Sequence, residues 1–422
     1  MRIGISTVGS RGDVQPALAL AAALCKRRHT VRIATHERYR SLVLSSGAEL
    51  FATGHGFASE DVWSGEEGKH LFETHDPTLY ALRFFRRVKG SLARHMKEVR
   101  SAFQDMDVVA GLQTVEMVSH AVATSLEKPY VALHVNPPDP RFFYGSFASR
   151  IVPRLADLAA RVTGQREAFE QAKHEALGDL RGHAQPLRLD LLGLSSSVLA
   201  TPLDWGDDIV RTGFWFFDDP SPPNVPLMEF LAAGPPPIAV GFGSMPGNDA
   251  RDATNAFLKA AKSLGQRVIF LSGAASLGAS AEDPSADRAS SGANLKDKNV
   301  HVARDVPHHW LLPKVAAFVH HGGAGTTAAA MRAGIPQVVV PHFGDQFFWA
   351  RLVSELGLGT ELARHRLTEA SAMTEALGSL LACGERATLV ANAIDGDNGA
   401  DRAAFEIEKW SSKIVKKDGH TS

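Results

Sequence analysis

Short apolar runs alternate with amphipathic stretches from the first residues of the chain. "RIGISTV" (2–8) and "TVRIATH" (30–36) have the apolar, β-branched content of buried strands. Between them, residues 14–28 carry alanine and leucine at helical spacing and end in a basic turn, which suits the C-terminus of a helix. Strand, helix and strand in this order predict a βαβ unit. "DVVAGL" (107–112) and "PYVALHV" (129–135) predict further strands of the same parallel sheet.

The pattern restarts after a proline-rich segment, "FDDPSPPNVP" (217–226), which we interpret as a domain boundary. Five apolar runs separated by helical stretches follow at 237–244, 266–273, 299–304, 316–322 and 336–341. This repetition predicts a second doubly wound sheet. We therefore predict an α/β protein with two Rossmann-like domains that face a cleft. They span residues 1–217 and 227–400, with a C-terminal helix and tail at 401–422.

Length, charge and cysteine content narrow the class of protein. A chain of 422 residues is long enough for two domains, and a net charge of −1 gives no sign of nucleic-acid binding. Two cysteines, Cys25 and Cys383, make no disulfide framework and favour a reducing, cytoplasmic setting. The N-terminus predicts a strand and not a signal peptide, and we expect no transmembrane segment. Contact with a membrane surface and the oligomeric state stay open.

A glycine-rich turn between a predicted strand and a helix is the strongest candidate site. In "FVHHGGAGTTAAAMRAG" (318–334) the turn offers backbone N–H groups and the helix N-terminus adds partial positive charge, which together predict a phosphate site. The predicted cradle comprises Gly322, Gly323, Ala324, Gly325 and Thr326. Side chains alternate along a strand, so only one of His320 and His321 can face the phosphate. With no carboxylate or cysteine beside them, we predict no metal site.

Two further loops on the C-terminal side follow predicted strands. In "PHFGDQFFWARL" (341–352), Asp345 and Gln346 stand at a helix start and could hold neighbouring sugar hydroxyls. Asp345 as an ordinary helix N-cap is the alternative. In "VGFGSMP" (240–246), Ser244 adds a hydroxyl donor for phosphate.

The loop after the first strand, "VGSRGDVQP" (8–16), carries a different set of groups. Ser10, Arg11 and Gly12 can reach a phosphate. Asp13 is either a helix cap or a general base, and the two roles are compatible. An aspartate with a pKa of about 3.9 is a weak base at neutral pH, but burial beside an apolar acceptor would raise that pKa.

Aromatic residues outside the predicted strands are candidates for the acceptor pocket. They occur in 57–85 and in "PPDPRFFYGSF" (137–147), and packing in a core is the alternative role. We predict acceptor contacts from His134, Phe142, Phe143 and Tyr144.

Three segments together resemble a known family. "STVGSRGDVQP" (6–16), "VGFGSMP" (240–246) and the long motif at 319–353 resemble family-1 glycosyltransferases of the GT-B fold, most of all sterol 3-beta-glucosyltransferases. They are also similar to bacterial enzymes that glycosylate glycopeptides and macrolides. The resemblance covers nearly the whole chain. It implies inverting, metal-independent transfer of a hexose, with UDP-glucose as co-substrate and no other cofactor, onto a hydroxyl of a small lipophilic acceptor such as a sterol. It also implies that the C-terminal helix returns to the first domain.

Site residues are carried over by matching positions in these motifs. The resemblance implies that His320 hydrogen-bonds the diphosphate, that Gly322 to Thr326 cradle it, and that Asp345 and Gln346 hold the sugar hydroxyls. Asp13 would be the general base, where plant relatives have a histidine. His321 is then structural.

The chain also departs from the family pattern. Ala328 replaces the glutamate that holds the ribose in plant relatives, and Val302 stands near the position of their uracil-stacking tryptophan. Trp310 is out of register for that role and is expected in the core. Gly111 replaces the acidic residue that orients the plant base. The donor thus remains open between UDP- and dTDP-sugars.

Three alternative functions remain. The acceptor could be a polyketide, phenolic or glycopeptide natural product. A nucleotide-sugar epimerase of the same fold is less favoured because no obvious carboxylate pair is present. A catalytically inactive binding protein is disfavoured because Asp13, His320, Asp345 and Gln346 are all present.

Overall fold

A computed structural model describes most of the chain. The described residues are 1–53, 83, 85–137, 161, 164–200, 209–221, 225–243, 250–272, 297–304 and 306–418. Four predicted site residues, Phe142, Phe143, Tyr144 and Ser244, lie outside these ranges. Most of the aromatic segments at 57–85 and 137–147 lie outside them too.

The chain divides into two compact units. The first contains Met1–Phe217 together with Gly396–Ser422, and the second contains Asp218–Asp395. The chain therefore leaves the first unit near Phe217 and re-enters it near Gly396.

The first unit is built on a parallel sheet. Its strands are β1 (Arg2–Ser6), β2 (Thr30–Thr35), β3 (Glu49–Ala52), β4 (Val108–Leu112), β5 (Tyr130–His134), β6 (Arg188–Leu192) and β7 (Ile209–Arg211). They lie in the order β3-β2-β1-β4-β5-β6-β7, and every pair is parallel. Strands β1, β4 and β5 lie at the centre of the sheet, and their apolar residues are buried.

Helices cover both faces of this sheet, as a parallel sheet requires. They are α1 (Arg11–Lys26), α2 (Arg40–Ser45), α3 (Leu92–Phe103), α4 (Glu116–Ser125), α5 (Gln165–Leu177) and, from the end of the chain, α13 (Gly399–Asp418). On one face, α1 packs with α13, whose Ala403, Ala404 and Ile407 are fully buried in the same apolar cluster. The prediction that the C-terminal helix returns to the first domain is confirmed.

The second unit repeats the plan. Its strands are β8 (Ile238–Gly241), β9 (Val268–Ser272), β10 (Val300–Arg304), β11 (Ala317–His320), β12 (Gln337–Val339) and β13 (Gly359–Glu361). Their order is β10-β9-β8-β11-β12-β13, again all parallel. Its helices are α6 (Val225–Ala232), α7 (Ala250–Ser263), α8 (His308–Leu311), α9 (Ala324–Ala333), α10 (Gln346–Glu355), α11 (Ala370–Ser379) and α12 (Gly384–Asp395). The predicted pair of doubly wound parallel sheets is confirmed.

The strand order places the candidate loops. In each sheet the order reverses beside the first strand, between β1 and β4 and between β8 and β11. Ligands of open parallel sheets bind at the carboxyl ends of the strands where the order reverses. The loop that leads to Asp13 follows β1, and the glycine turn at 321–323 follows β11, so both occupy such a position in their own sheet.

Gly359→Ala should destabilise the second unit. A Cβ at Gly359 would lie 1.7 Å from the carbonyl oxygen of its strand partner Gln337, so β12 and β13 would have to separate. We expect a loss of about 3 kcal/mol, the upper end for an overpacked site. Thermal unfolding followed by circular dichroism measures it. Gly378→Ala, with nothing within 4 Å of the added Cβ, is the control, and an equal melting temperature for both variants would contradict the prediction.

Candidate active site

The glycine turn after β11 forms the N-terminus of α9. Gly322 has φ +87°, and a Cβ there would lie 2.7 Å from Val339 Cγ1, so the turn requires glycine. Gly323 is the N-cap of α9, and the helical hydrogen bonds begin with Thr327 N, which donates to Gly323 O at 2.9 Å. The amides of Ala324, Gly325 and Thr326 thus have no acceptor within the helix. These amides and the helix dipole form an anion site.

His320 is committed to the interior of the second unit. It has no exposed surface, and its Nε2 donates to Gln337 Oε1 at 2.9 Å. Its Nδ1 accepts the backbone N–H of Gly322 at 3.1 Å, and its ring lies 4.9 Å from the ring of Phe318. Burial lowers the pKa of His320 to about 4, so the ring is neutral and its one proton is on Nε2. Both ring nitrogens therefore have hydrogen-bond partners within the second unit, and the ring stabilises the glycine turn through the Gly322 N–H.

His321, in contrast, lies over the turn. A Cβ on Gly323 would be 2.6 Å from His321 Nε2, and a Cβ on Gly243, in the loop after β8, would be 3.3 Å from its Cε1. Its Nδ1 is buried and makes no hydrogen bond within the described part of the chain. Burial, followed by the rings of His320, His342 and His308, lowers the pKa of His321 well below its usual range. His321 is therefore a neutral imidazole between two glycine loops.

These positions reverse the sequence-based assignment of the two histidines. The sequence predicts His320 at the phosphate and His321 in a structural role. The strand alternation behind that expectation is correct, but the ring that shares the face of Phe318 is the inward one. His320 lacks a nitrogen for a ligand, and His321 has the position beside the glycine amides.

The loop between β12 and α10 contains the predicted sugar clamp. Gln346 is 3% exposed, and its Oε1 accepts the backbone N–H groups of His342 at 2.7 Å and Phe343 at 3.2 Å. This oxygen shapes the loop, so only the amide nitrogen of Gln346 could serve a sugar hydroxyl, and the role of Gln346 in holding the sugar stays a prediction. Asp345 occupies the N-cap position of α10, but its half-buried carboxylate makes no capping bond.

Three more residues of the second unit were considered in the sequence for contact with the nucleotide: Val302, Ala328 and Trp310. Val302 is half-buried on β10. Ala328 is buried in α9, one residue after Thr327, whose Oγ1 donates to Gly323 O at 3.0 Å. Trp310 packs against the core cluster of the second unit with Lys314 Nζ 4.3 Å from its ring, which confirms its expected place in the core.

In the first unit, Asp13 closes the loop after β1. It is the third residue of α1, and its Oδ2 accepts both the backbone N–H and the hydroxyl of Ser10 at 2.8 Å. Burial raises the pKa of Asp13, although the hydrogen bonds from Ser10 and the charge of Arg38 oppose that rise. Asp13 is thus both a helix cap and a carboxylate with a raised pKa. The two donors of Ser10 point at Asp13, while Arg11 is half-buried and Gly12 is exposed.

The predicted relay position and His134 also lie in this unit. A Cβ at Gly111 would lie 2.4 Å from Ser119 Cβ, so β4 has no room for an acidic side chain there. His134 ends β5, is buried, and bonds Asp190 Oδ1 through Nε2 at 2.9 Å. Burial opposes ionisation of Asp190, but hydrogen bonds from Arg188 and His134 outweigh it and lower its pKa. His134 therefore belongs to a polar network with Asp190 and Arg188 on the neighbouring strand β6.

In the ranges that the structure describes, no cluster of three or more His, Cys, Asp and Glu side chains could hold a metal ion. None of the described helices is both long and apolar enough to cross a bilayer.

Comparison with known proteins gives a consistent picture. Residues 3–116 match the model "Glycosyltransferase family 28 N-terminal domain", and residues 285–409 match "Erythromycin biosynthesis protein CIII-like, C-terminal domain". A sterol 3-beta-glucosyltransferase of Cryptococcus neoformans var. neoformans is 29% identical over 99% of this chain, which spans only 28% of that relative's length. The O-mycaminosyltylonolide 6-deoxyallosyltransferase of Streptomyces fradiae is 31% identical over 97% of this chain and 98% of its own.

Solved structures show the same fold. The calicheamicin glycosyltransferase CalG4 superposes with a TM-score of 0.68 at 22% identity, covering 98% of each chain. The Streptomyces fradiae relative matches over nearly its full length and exceeds 30% identity. The chain therefore belongs to the GT-B glycosyltransferases, the family that includes sterol 3-beta-glucosyltransferases and macrolide glycosyltransferases.

Proposed function

We propose that this protein transfers a hexose from a nucleoside diphosphate sugar to a hydroxyl of a small lipophilic acceptor, with inversion at the anomeric carbon. The observation that carries the proposal is the anion site of the second unit, where three helix amides and a neutral His321 surround the glycine turn. A diphosphate leaving group needs hydrogen-bond donors there as its charge develops. The chemistry proposed needs no metal, because these donors take over the stabilisation of the leaving group.

The proposed reaction needs a base for the hydroxyl proton of the acceptor, and we propose Asp13 for this role. The acceptor oxygen forms a bond to the anomeric carbon while the bond from that carbon to the diphosphate oxygen breaks. The hydroxyl proton goes to a base, and the nucleoside diphosphate leaves with the bonding electrons. Asp13 suits the base because burial raises its pKa. Asp345, at the start of α10, is proposed to accept hydrogen bonds from the sugar hydroxyls.

Donor and acceptor are inferred from relatives. Similarity to the sterol 3-beta-glucosyltransferases supports glucose as the sugar and a sterol-like alcohol as the acceptor. We propose UDP-glucose as the donor. A second candidate is a macrolide-like or other natural-product acceptor with a dTDP-sugar donor. It is supported by the relative from Streptomyces fradiae, which this chain matches over nearly its whole length.

A donor and acceptor panel tests the proposal. The protein is incubated with UDP-glucose or dTDP-glucose and with sterols, phenols or macrolides, and products are identified by mass. We expect one acceptor class to gain a hexose, in a β-linkage by NMR if the α-linked donor reacts with inversion. Donor cleavage without any glycoside would reject the transferase, and an α-linked product would reject inversion.

A further inference from the structure

The peptide that connects Gly9 and Ser10 is held from two sides. On one side, Arg38 Nη2 donates to Gly9 O at 2.8 Å and the Tyr39 hydroxyl donates to the same oxygen at 3.0 Å. The two side chains also hold each other, because Arg38 Nη2 donates to Tyr39 Oη at 2.8 Å and the guanidinium lies 4.7 Å from the Tyr39 ring. Arg38 and Tyr39 belong to the short 3₁₀ helix Glu37–Tyr39 that follows β2.

On the other side, the same peptide contacts Asp13. A peptide group is planar, so fixing the Gly9 carbonyl also fixes the direction of the Ser10 N–H. That N–H donates to Asp13 Oδ2 at 2.8 Å, together with the Ser10 hydroxyl. Gly9 has φ +119°, and a Cβ there would lie 2.5 Å from Asp13 Oδ2, so the loop fits closely around the carboxylate. The orientation of Asp13 therefore depends on what holds the Gly9 carbonyl.

Strand β4 cannot supply an orienting carboxylate, because its side chains are apolar and the neighbours of Gly111 fill the space that an acidic residue would need. We propose that Arg38 and Tyr39 are positioning residues that orient Asp13 for proton removal through the Gly9–Ser10 peptide. This inference rests on the proposed function of Asp13 as the base. It assigns to a segment after β2 the part that an acidic residue on the neighbouring strand would otherwise play.

The positive charge of Arg38 gives the proposal a second consequence, for the pKa of Asp13. Arg38 is the charged group that acts on Asp13 in the described structure. Arg11 lies two residues before Asp13 on α1, and His36 Nδ1 accepts the Arg38 backbone N–H at 3.2 Å. The positive charge of Arg38 favours ionised Asp13 and opposes the effect of burial on its pKa. Removing that charge should raise the pKa of Asp13, so the base would be protonated up to a higher pH.

Four variants test the positioning role in the full-length protein with UDP-glucose and the accepted alcohol from the panel. We expect Arg38→Met to lower kcat by about tenfold, because it frees a catalytic group from its orientation. Its KM for the nucleotide sugar should stay within about twofold, and the acidic limb of its kcat/KM profile should move to higher pH. Arg38→Lys should keep the pH of that limb but still lose kcat, because a lysine cannot bridge Gly9 O and Tyr39 Oη in the same geometry.

Tyr39→Phe removes only the hydroxyl and covers the case in which the Arg38 variants fold poorly. It should lower kcat by about threefold without moving the pH limb, because the lost group is neutral and is worth one ordinary hydrogen bond. Arg40→Met is the matched control, since the exposed Arg40 is bonded to Glu37 on the same segment. The inference would be overturned if Arg38→Met and Tyr39→Phe had the same kcat and pH profile as Arg40→Met.

Asp13→Asn separates this inference from the proposed function. If Asp13→Asn abolishes transfer but Arg38→Met and Tyr39→Phe match the control, the base stands and the positioning role fails. If Asp13→Asn still transfers sugar at the wild-type rate, the proposed base fails, and the positioning role with it.

Discussion

Asp13→Asn should lose about 10²–10⁴-fold in kcat while it still binds the nucleoside diphosphate. This is the range that a positioned general base contributes. Asparagine keeps the shape of the side chain and can accept the Ser10 N–H through its oxygen, so the helix cap should weaken by no more than about 1 kcal/mol. Steady-state kinetics and calorimetric titration with UDP measure the two quantities.

Asp401→Asn is the matched control for this variant. It is the acidic residue in the first turn of α13 and removes a comparable charge from a helix start in the same unit. It should transfer sugar at the wild-type rate. Equal activity of the two variants would remove Asp13 from the mechanism.

The pH dependence follows from the direction of the pKa shift. Burial raises the pKa of Asp13, and the base works only when ionised. Activity should therefore fall as the pH drops through that raised pKa, with the acidic limb of kcat/KM above the ordinary aspartate value of about 3.9. The limb should be absent from the residual activity of Asp13→Asn.

His321→Ala and His320→Ala should fail in different ways. His321→Ala should weaken binding of UDP or dTDP by about tenfold to 100-fold, because a hydrogen bond to a charged group is worth about 1.5–3 kcal/mol. Its stability should fall less than that of His320→Ala, because His321 Nδ1 has no hydrogen-bond partner in the described structure to lose. Titration calorimetry with each nucleotide measures the affinity.

His320→Ala should instead lower the free energy of unfolding by about 3 kcal/mol. It leaves the buried Gln337 amide and the Gly322 N–H without their ring partner. Thermal unfolding measures this loss. The opposite result would be wild-type nucleotide affinity in His321→Ala together with a stable His320→Ala that no longer binds nucleotide. That result would return the phosphate contact to His320, as the sequence predicts.

The sheets could be predicted because apolar, β-branched runs alternate with helical periodicity in both halves of the chain. The loop that carries Asp13 followed from the same pattern, since it comes directly after β1. The choice between His320 and His321 could not be made this way. All four residues of β11 are buried, and Phe318 and Val319 on its opposite faces are both apolar, so alternation alone does not say which face meets the ligand.

Partners distant in sequence account for the remaining differences. His320 faces the interior because Gln337, 17 residues later on the neighbouring strand β12, accepts a hydrogen bond from its Nε2. The Gln346 amide oxygen is occupied by two backbone groups of its own loop, which motif matching does not reveal. Arg38 approaches the Asp13 loop from the segment after β2, and no local pattern marks it.

The return of α13 to the first unit has a consequence for the order of folding during synthesis. The second unit is one continuous stretch, Asp218–Asp395, and can complete its core as soon as that stretch has left the ribosome. The first unit begins earlier but must wait for Ala403, Ala404 and Ile407 to cover α1. We therefore expect the half of the chain that is made first to be the last to complete its core, with the face of α1 that packs on α13 uncovered until the C-terminal helix has been made.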